Sequence, residues 1–285
     1  MPPAVVWMDG LVLSSIYILI ASGLVLVFSI MGIVNFAHGQ LYMLGAFLIY
    51  YMFARAGINY FVSLVITAVA IGVLGVAIER GLLRPLAPKG LLPPVVVTLG
   101  LIFLFEGIAT LFFGPEKKAV PSAVPGVSSI GALTVSNEKL VVVAIAFAVM
   151  VGLYFLVSHT KMGLAMRASA QDPYTATLYG VSRGRILTLT MFIGCALAGI
   201  AASLMAPLYY VDPWIGLTPL IMALLAIVIG GLGSVLGAVV GGALLGFSGT
   251  FLIYYLGPWS ELAAFVIVIA VLLLRPEGIF GRPKA

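Results

Sequence analysis

GIVNFAHGQLYMLGAF, residues 32–47, follows directly on an apolar run, 11–31, and sets Asn35, His38 and Gln40 among small residues. A spanning helix needs about 20 mostly apolar residues. Irregular backbone at membrane depth is tolerated only against protein or a wet cavity, because an unpaired peptide group in hydrocarbon costs several kcal/mol. The stretch therefore predicts a discontinuous helix with a polar site at the break.

The rest of the chain agrees with a membrane setting. Hydrophobic residues make up 63% of the 285 positions and charged residues 8%, against about 25% charged in a soluble domain. Windows 11–31, 60–78, 91–113, 139–158, 186–206 and 235–256 are long enough to span. Windows 35–54, 219–232 and 259–274 are shorter or broken. No period-two alternation speaks for a barrel. The expectation is an all-α polytopic transmembrane bundle of about eight or nine spans with discontinuous helices, in one domain over residues 1–285. The first run lacks a charged n-region and a cleavage site, so it reads as a retained helix.

The net charge of +5 does not imply nucleic acid. Arg80, Arg84 and Lys89, then Lys161, Arg167, Arg183 and Arg185, then Arg275, Arg282 and Lys284 lie between or after apolar runs. These regions are expected in the cytoplasm by the positive-inside rule. Loops 114–138 and 207–218 then face outward. The first of these, rich in Pro, Gly and Ser, predicts little regular structure. Within 160–185, Met162 to Ala170 reads as a short helix, and Asp172 before Pro173 suits the cap of a second one. This helix pair is either a cytoplasmic docking element or a solvated connector.

Two interrupted segments, around 35–40 and around GGLGS at 230–234, follow a similar plan in the two halves. Such pairs point to a transport site near the midplane. Half-helix ends would offer free N–H and C=O groups. The substrate-pathway candidates are Asn35, His38, Gly39 and Gln40 with Gly230, Gly231, Gly233 and Ser234. His38 is either a site residue or a satisfied interhelical histidine. Glu106, inside a span, is a functional candidate or an internal tie between helices. The face Gly233, Gly237, Gly241, Gly242 and Gly246 suits close helix packing. Cys195, alone in a span, reads as a packing residue.

Enzyme readings find little. GFSG, Gly246 to Gly249, resembles an intramembrane serine-protease motif, yet both His38 and His159 precede Ser248. Tyr210 and Asp212 lack a second intramembrane Asp. One Cys and two distant His supply no metal set, and there is no GxxxxGK[ST] loop. No catalytic residue, metal or cofactor is expected. A self-sufficient secondary transporter using Glu106 or His38 for ion coupling stays open.

Taken together, GIVNFAHGQLYMLGAF, RASAQDPYTATLYGVSRGRI, GGLGSVLGAVVGGALLG and LLLRPEGIFG, in this order, resemble four successive signatures of the LivH-type permease subunit of bacterial high-affinity branched-chain amino acid ABC importers. The resemblance implies an inner-membrane subunit carrying leucine, isoleucine or valine by ATP-driven alternating access. It implies a second, M-type permease subunit, two cytoplasmic ATPase subunits and an extracytoplasmic binding protein as partners. It places Arg167, Asp172, Ala176 and Gly180 in the loop that couples to the ATPases, and turns 114–138 and YYVDPWIG (209–216) towards the binding protein. The chain departs from the pattern at Gln40, where family members often carry an acidic residue, at IMALLAIVIGG (221–231), and at Val235–Leu236, where a Pro commonly follows GS. These changes remove charge near the expected pathway and leave urea, short amides or other amino acids as alternative substrates.

Overall fold

The computed structural model describes residues 4–130 and 133–281; Arg282 and Lys284 of the basic tail lie outside the described residues. Helix α1 (Ala4–Met31) runs about 42 Å and ends at Gly32, whose φ of +69° lets its N–H bond back to the Phe28 carbonyl at 2.8 Å. That is the left-handed helix stop that glycine adopts without penalty. Residues 33–37 lead into α2 (His38–Ile49), which continues as one π-helical stretch, Tyr50–Arg55. Asn59 caps α3 (Tyr60–Ile78) by accepting from the Phe61 and Val62 amides. A π turn (Glu79–Leu83), the short α4 (Arg84–Leu86) and Pro-bearing residues lead to α5 (Leu92–Phe113).

Loop 114–138 is more regular than its composition predicts. Strands β1 (Val127–Ile130) and β2 (Leu133–Ser136) pair antiparallel, with Ser128 opposite Val135. The β-branched Val127, Thr134 and Val135 suit a pleated pair, a signal masked by the surrounding Pro and Gly. Helix α6 (Asn137–His159) follows, then α7 (Lys161–Gln171), α8 (Pro173–Leu178) and α9 (Arg183–Met205). The short α10 (Leu217–Gly230), α11 (Val235–Leu256) and α12 (Ser260–Leu274) complete the bundle.

Six helices are long and apolar enough to cross a membrane by length and composition, and they cover the six long windows read from the sequence. The broken windows correspond to α2 with its π extension, α10 and α12. Helix α2 is the central one: ten of its twelve residues are buried, against α3, α5, α9 and α10. Helix α1 packs on α9, α10 and α11. The small residues of α11 serve close approach, as read: a Cβ on Gly241 would meet the Ala226 carbonyl oxygen, and one on Gly246 would meet Ser14. Cys195 is fully buried between α3 and α9, beside Gly75. By contrast, only 17% of the most apolar window of α5, and the same share for α6, is buried within the chain.

The basic segments share one end of the bundle. Arg84 grips buried Glu79 through two bonds of 2.7 and 2.9 Å and also donates to the Gly184 carbonyl and to Thr188 Oγ1. At the same end, the Ile279 and Phe280 amides donate to the Ile229 and Gly230 carbonyls. At the other end Lys118 and Val211 exchange backbone hydrogen bonds, and Lys139 pairs with Asp9.

Candidate functional site

The break at 32–37 carries the start of α2 back into the bundle. Asn35 Oδ1 accepts from the Ala37 amide at 3.1 Å and the Asn35 carbonyl accepts from the His38 amide at 3.2 Å. This local turn starts the helix in the manner typical of Asn. His38 then stands beside Gly23 of α1, eight residues before the helix end, about 12 Å below it at 1.5 Å per residue. The first turn of α2 therefore begins within the membrane.

Gly39 meets Gly216 there. A Cβ on Gly39 would lie 2.4 Å from the Gly216 carbonyl oxygen, and one on Gly216 would lie 2.1 Å from the Gly39 oxygen. Gly216 immediately precedes α10, which is 14 residues, about 21 Å long. That is shorter than a hydrocarbon core of about 30 Å. So the loop read as outward-facing, 207–218, dips inward at its C-terminal end. The N-termini of two short helices, α2 and α10, come together inside the bundle. Several of their first amides are taken up locally, His38 and Gln40 by the Asn35 and Ala37 carbonyls and Leu217 and Leu220 by the Trp214 and Gly216 carbonyls, while the helix dipoles still put partial positive charge at this point.

Polar side chains gather at the same place. Asn35, His38 and Gln40 are at most 1% exposed. Among the described residues, Asn35 Nδ2 and Gln40 Oε1 have no hydrogen-bond partner, while the buried His38 ring lies against the Ile20 backbone of α1. Gln40 Nε2 donates to Glu106 Oε1 at 2.9 Å, joining α2 to α5. Glu106 was marked from the sequence on its own; its pairing with Gln40 was not.

The second predicted cluster lies elsewhere. Gly230 and Gly231 pack on the tail, where Gly231 stands against Phe280 and Gly281. Gly233 accepts at its carbonyl from Ser29 near the end of α1, and Ser234 caps α11 through the Gly237 amide at 3.0 Å. These residues sit at the basic end and not beside Asn35–Gln40. Gly233 and Ser234 border a cleft of about 1240 Å³ between α1, α6 and α11, whose basic end also holds Arg167 and Gln171. The two halves thus place their breaks differently: the long α1 precedes its break, whereas the short α10 precedes the other.

The helix pair 161–178 forms as read. Thr160 caps α7 through the Gly163 amide, and Arg167 donates to the Val157 carbonyl at the end of α6. Asp172 caps α8, accepting from the Tyr174 and Thr175 amides at 2.9 and 3.1 Å. The Thr175 hydroxyl and these amides hold its carboxyl below the ordinary carboxylate range. Ala176 is buried, whereas Arg167, Asp172 and Gly180 are exposed. The outward face is apolar: Tyr174, Leu178 and Tyr179 are 75%, 70% and 86% exposed. Sequence reading missed these three; two large apolar residues four apart in a polar segment, Tyr174 and Leu178, were the available signal.

The chain matches the model of the family described as branched-chain amino acid transport system / permease component over residues 6–274. The chain belongs to this permease family. It is 35% identical to the high-affinity branched-chain amino acid transport system permease protein BraD of Pseudomonas aeruginosa, covering 97% of this chain and 95% of that one. It is 32% identical to LivH of Escherichia coli K12, over 97% and 94%. It is 26% identical to a probable LivH of Methanocaldococcus jannaschii, over 95% and 90%. Among solved structures, PsaBC from Streptococcus pneumoniae in complex with Fab aligns with a TM-score of 0.52 at 13% identity, over 95% of this chain and 92% of that one. This last likeness concerns the fold alone. With its apolar helices, the permease is a multi-pass inner-membrane protein.

Proposed function

We propose that the chain is the single-domain permease subunit of an ABC importer for branched-chain amino acids, moving leucine, isoleucine or valine inward by alternating access. The observation that carries this reading is 35% identity, over nearly the whole of both chains, to a permease named for that transport. ATP hydrolysis belongs to two cytoplasmic ATPase subunits, so the chain itself is no enzyme. A second, M-type permease completes the membrane part, and an extracytoplasmic binding protein delivers the substrate.

The residues suit these roles in physical terms. The exposed Tyr174, Leu178 and Tyr179, presented by a pair of capped short helices that includes Arg167, Asp172, Ala176 and Gly180, give an ATPase groove an apolar face to hold. Asn35, His38, Gly39 and Gln40 surround the paired helix N-termini, where the helix dipoles favour a carboxylate. Gly230, Gly231, Gly233 and Ser234 lie on the cytoplasmic exit side of this pathway. In the present conformation Gly39 and Gly216 are in contact, so the pathway between α2 and α10 is shut.

The test is uptake of radiolabelled leucine into vesicles containing this chain, its permease partner, the ATPases and the binding protein. ATP-dependent uptake, competed by isoleucine and valine, is the expected result. Stimulated ATP hydrolysis without uptake of any of the three would refute the substrate assignment. Full uptake by this chain without ATPases would refute the class.

A further inference from the structure

Glu106 is a carboxylate in a membrane span that pairs with no cation among the described residues. Among the described residues, the other acids with described side chains near the spans have partners: Glu79 is bound by Arg84, Asp9 by Lys139, and Glu138 accepts from Ser122 and from the Val124 amide. Glu106 has only the neutral Gln40 amide, on one of its two oxygens. An uncompensated charge at this depth is costly and is retained where it faces a pathway or a partner.

The geometry of the pair is directional. A carboxylate only accepts, so the Gln40 amide must present its NH₂ to Glu106. Its carbonyl oxygen is then left without a partner, and it is fully buried. The second Glu106 oxygen and Gln40 Oε1 are thus two acceptors on adjacent groups. Glu106 itself is only half-buried. It flanks the open face of α5, where Phe103, Leu104 and Leu111 are 74%, 53% and 85% exposed and nothing lies within 4 Å of a Cβ built on Gly107. A primary ammonium carries three donors and one positive charge, so it can serve both acceptors with a donor to spare and it matches the carboxylate in sign.

We propose that Glu106, held by Gln40, is the subsite for the ammonium group of a zwitterionic substrate, entered from the open face of α5. The inference rests on the amino acid transport reading above. It also divides the zwitterion between two places: the carboxylate goes to the N-termini of α2 and α10, and the ammonium to α5. Gln40, two residues into α2, links them.

The experiment measures leucine uptake per ATP hydrolysed in the reconstituted complex, for the wild type, Glu106→Gln and Glu106→Asp. Glu106→Gln is nearly isosteric and removes the charge. It is expected to lower uptake per ATP about tenfold, the order of one lost charge-assisted hydrogen bond, in a complex that still co-purifies intact. Glu106→Asp keeps the charge and is expected to recover part of the loss. A Glu106→Gln complex that transports within about twofold of wild type overturns the proposal. So does loss of the second permease subunit on purification, which would mean that the carboxylate pairs with a cation of that subunit. Failure of the wild type to import any amino acid, with ATP hydrolysis intact, would strike instead at the function reading.

Discussion

Adding one methyl group at the meeting of α2 and α10 tests whether these helices touch as the structure has them. Gly39→Ala puts a Cβ 2.4 Å from the Gly216 carbonyl oxygen, and Gly216→Ala puts one 2.1 Å from the Gly39 oxygen. Ordinary contact begins near 3.4 Å, so the helices must separate by about 1.0 Å for the first variant and 1.3 Å for the second. Both obstructing atoms are backbone, which cannot rotate away as a side chain would. Leu220 Cβ, 2.8 Å from the Gly39 position, blocks a sideways escape. Overpacking of this kind costs about 1–3 kcal/mol. The double variant is the sharper test. Once the helices have parted to admit one methyl, the second meets less resistance, so the combined loss should fall short of the sum by roughly 1 kcal/mol. Reversible unfolding in mixed micelles gives the stabilities, and leucine uptake by the same preparations gives the function. Each single variant should lower stability, and uptake should fall because His38 and Gln40 move with the first turn of α2. Strict additivity, or a single variant within 0.5 kcal/mol of wild type, would refute the contact.

Arg84→Ala leaves Glu79 buried without its cation and should cost about 3–5 kcal/mol, read in the same unfolding assay; Arg84→Lys, which lacks the two-pronged grip, should fall between. Tyr174→Ala with Leu178→Ala removes exposed surface, so it should leave stability within about 0.5 kcal/mol while reducing the amount of ATPase that co-purifies. The Asp172 carboxyl is lowered by its bonds to Thr175 and Tyr174. Its capping contribution is therefore full above the ordinary carboxylate range and is lost as the pH falls through and below that range. Hydrogen exchange at the Tyr174 and Thr175 amides, corrected for intrinsic rates, should show protection that is flat at neutral pH and falls only in acid; Asp172→Asn should abolish that acid step.

The sequence carried the long spans well because they depend on one additive quantity, apolar length. The first break was read at 35–40 and falls at 32–37, with His38, Gly39 and Gln40 already in α2; its causes are local, since Gly32 takes φ +69° and Asn35 bonds the amide two residues on. The Asp172–Pro173 start of α8 was legible in the same way. Contacts between distant segments were not. Gly216 closes against Gly39 across 177 positions, and neither residue has a side chain to advertise the meeting. The residue types at Gln40 and Glu106 were conspicuous, yet nothing in their spacing joins α2 to α5. The GGLGS break looked like the partner of the first, but a Gly-rich break marks only where a helix stops. Its depth depends on the length of the helix before it, and α10 is too short to bring both of its ends to the bilayer surfaces.

The unpaired polar atoms bear on why α2 is built as it is. Burying a polar atom without a partner costs about 1–3 kcal/mol. Leaving aside His38, whose ring lies against the Ile20 backbone, three such side-chain atoms among the described residues belong to residues 35–42: Asn35 Nδ2, Gln40 Oε1 and Tyr42 Oη. A helix selected for stability alone would carry apolar residues at these positions, since well-packed replacements of buried polar groups are often neutral or stabilising. The expense falls on the most buried helix and is concentrated in its first turns. Those turns also carry the positive end of the helix dipole and the glycine contact with α10. A site that binds a charged ligand in one conformation and closes over nothing in another would have this composition, with donors and acceptors that find partners only when α2 and α10 part. Tight packing at Gly39 and Gly216 then holds the closed arrangement, and the unsatisfied groups beneath it lower the cost of leaving that arrangement.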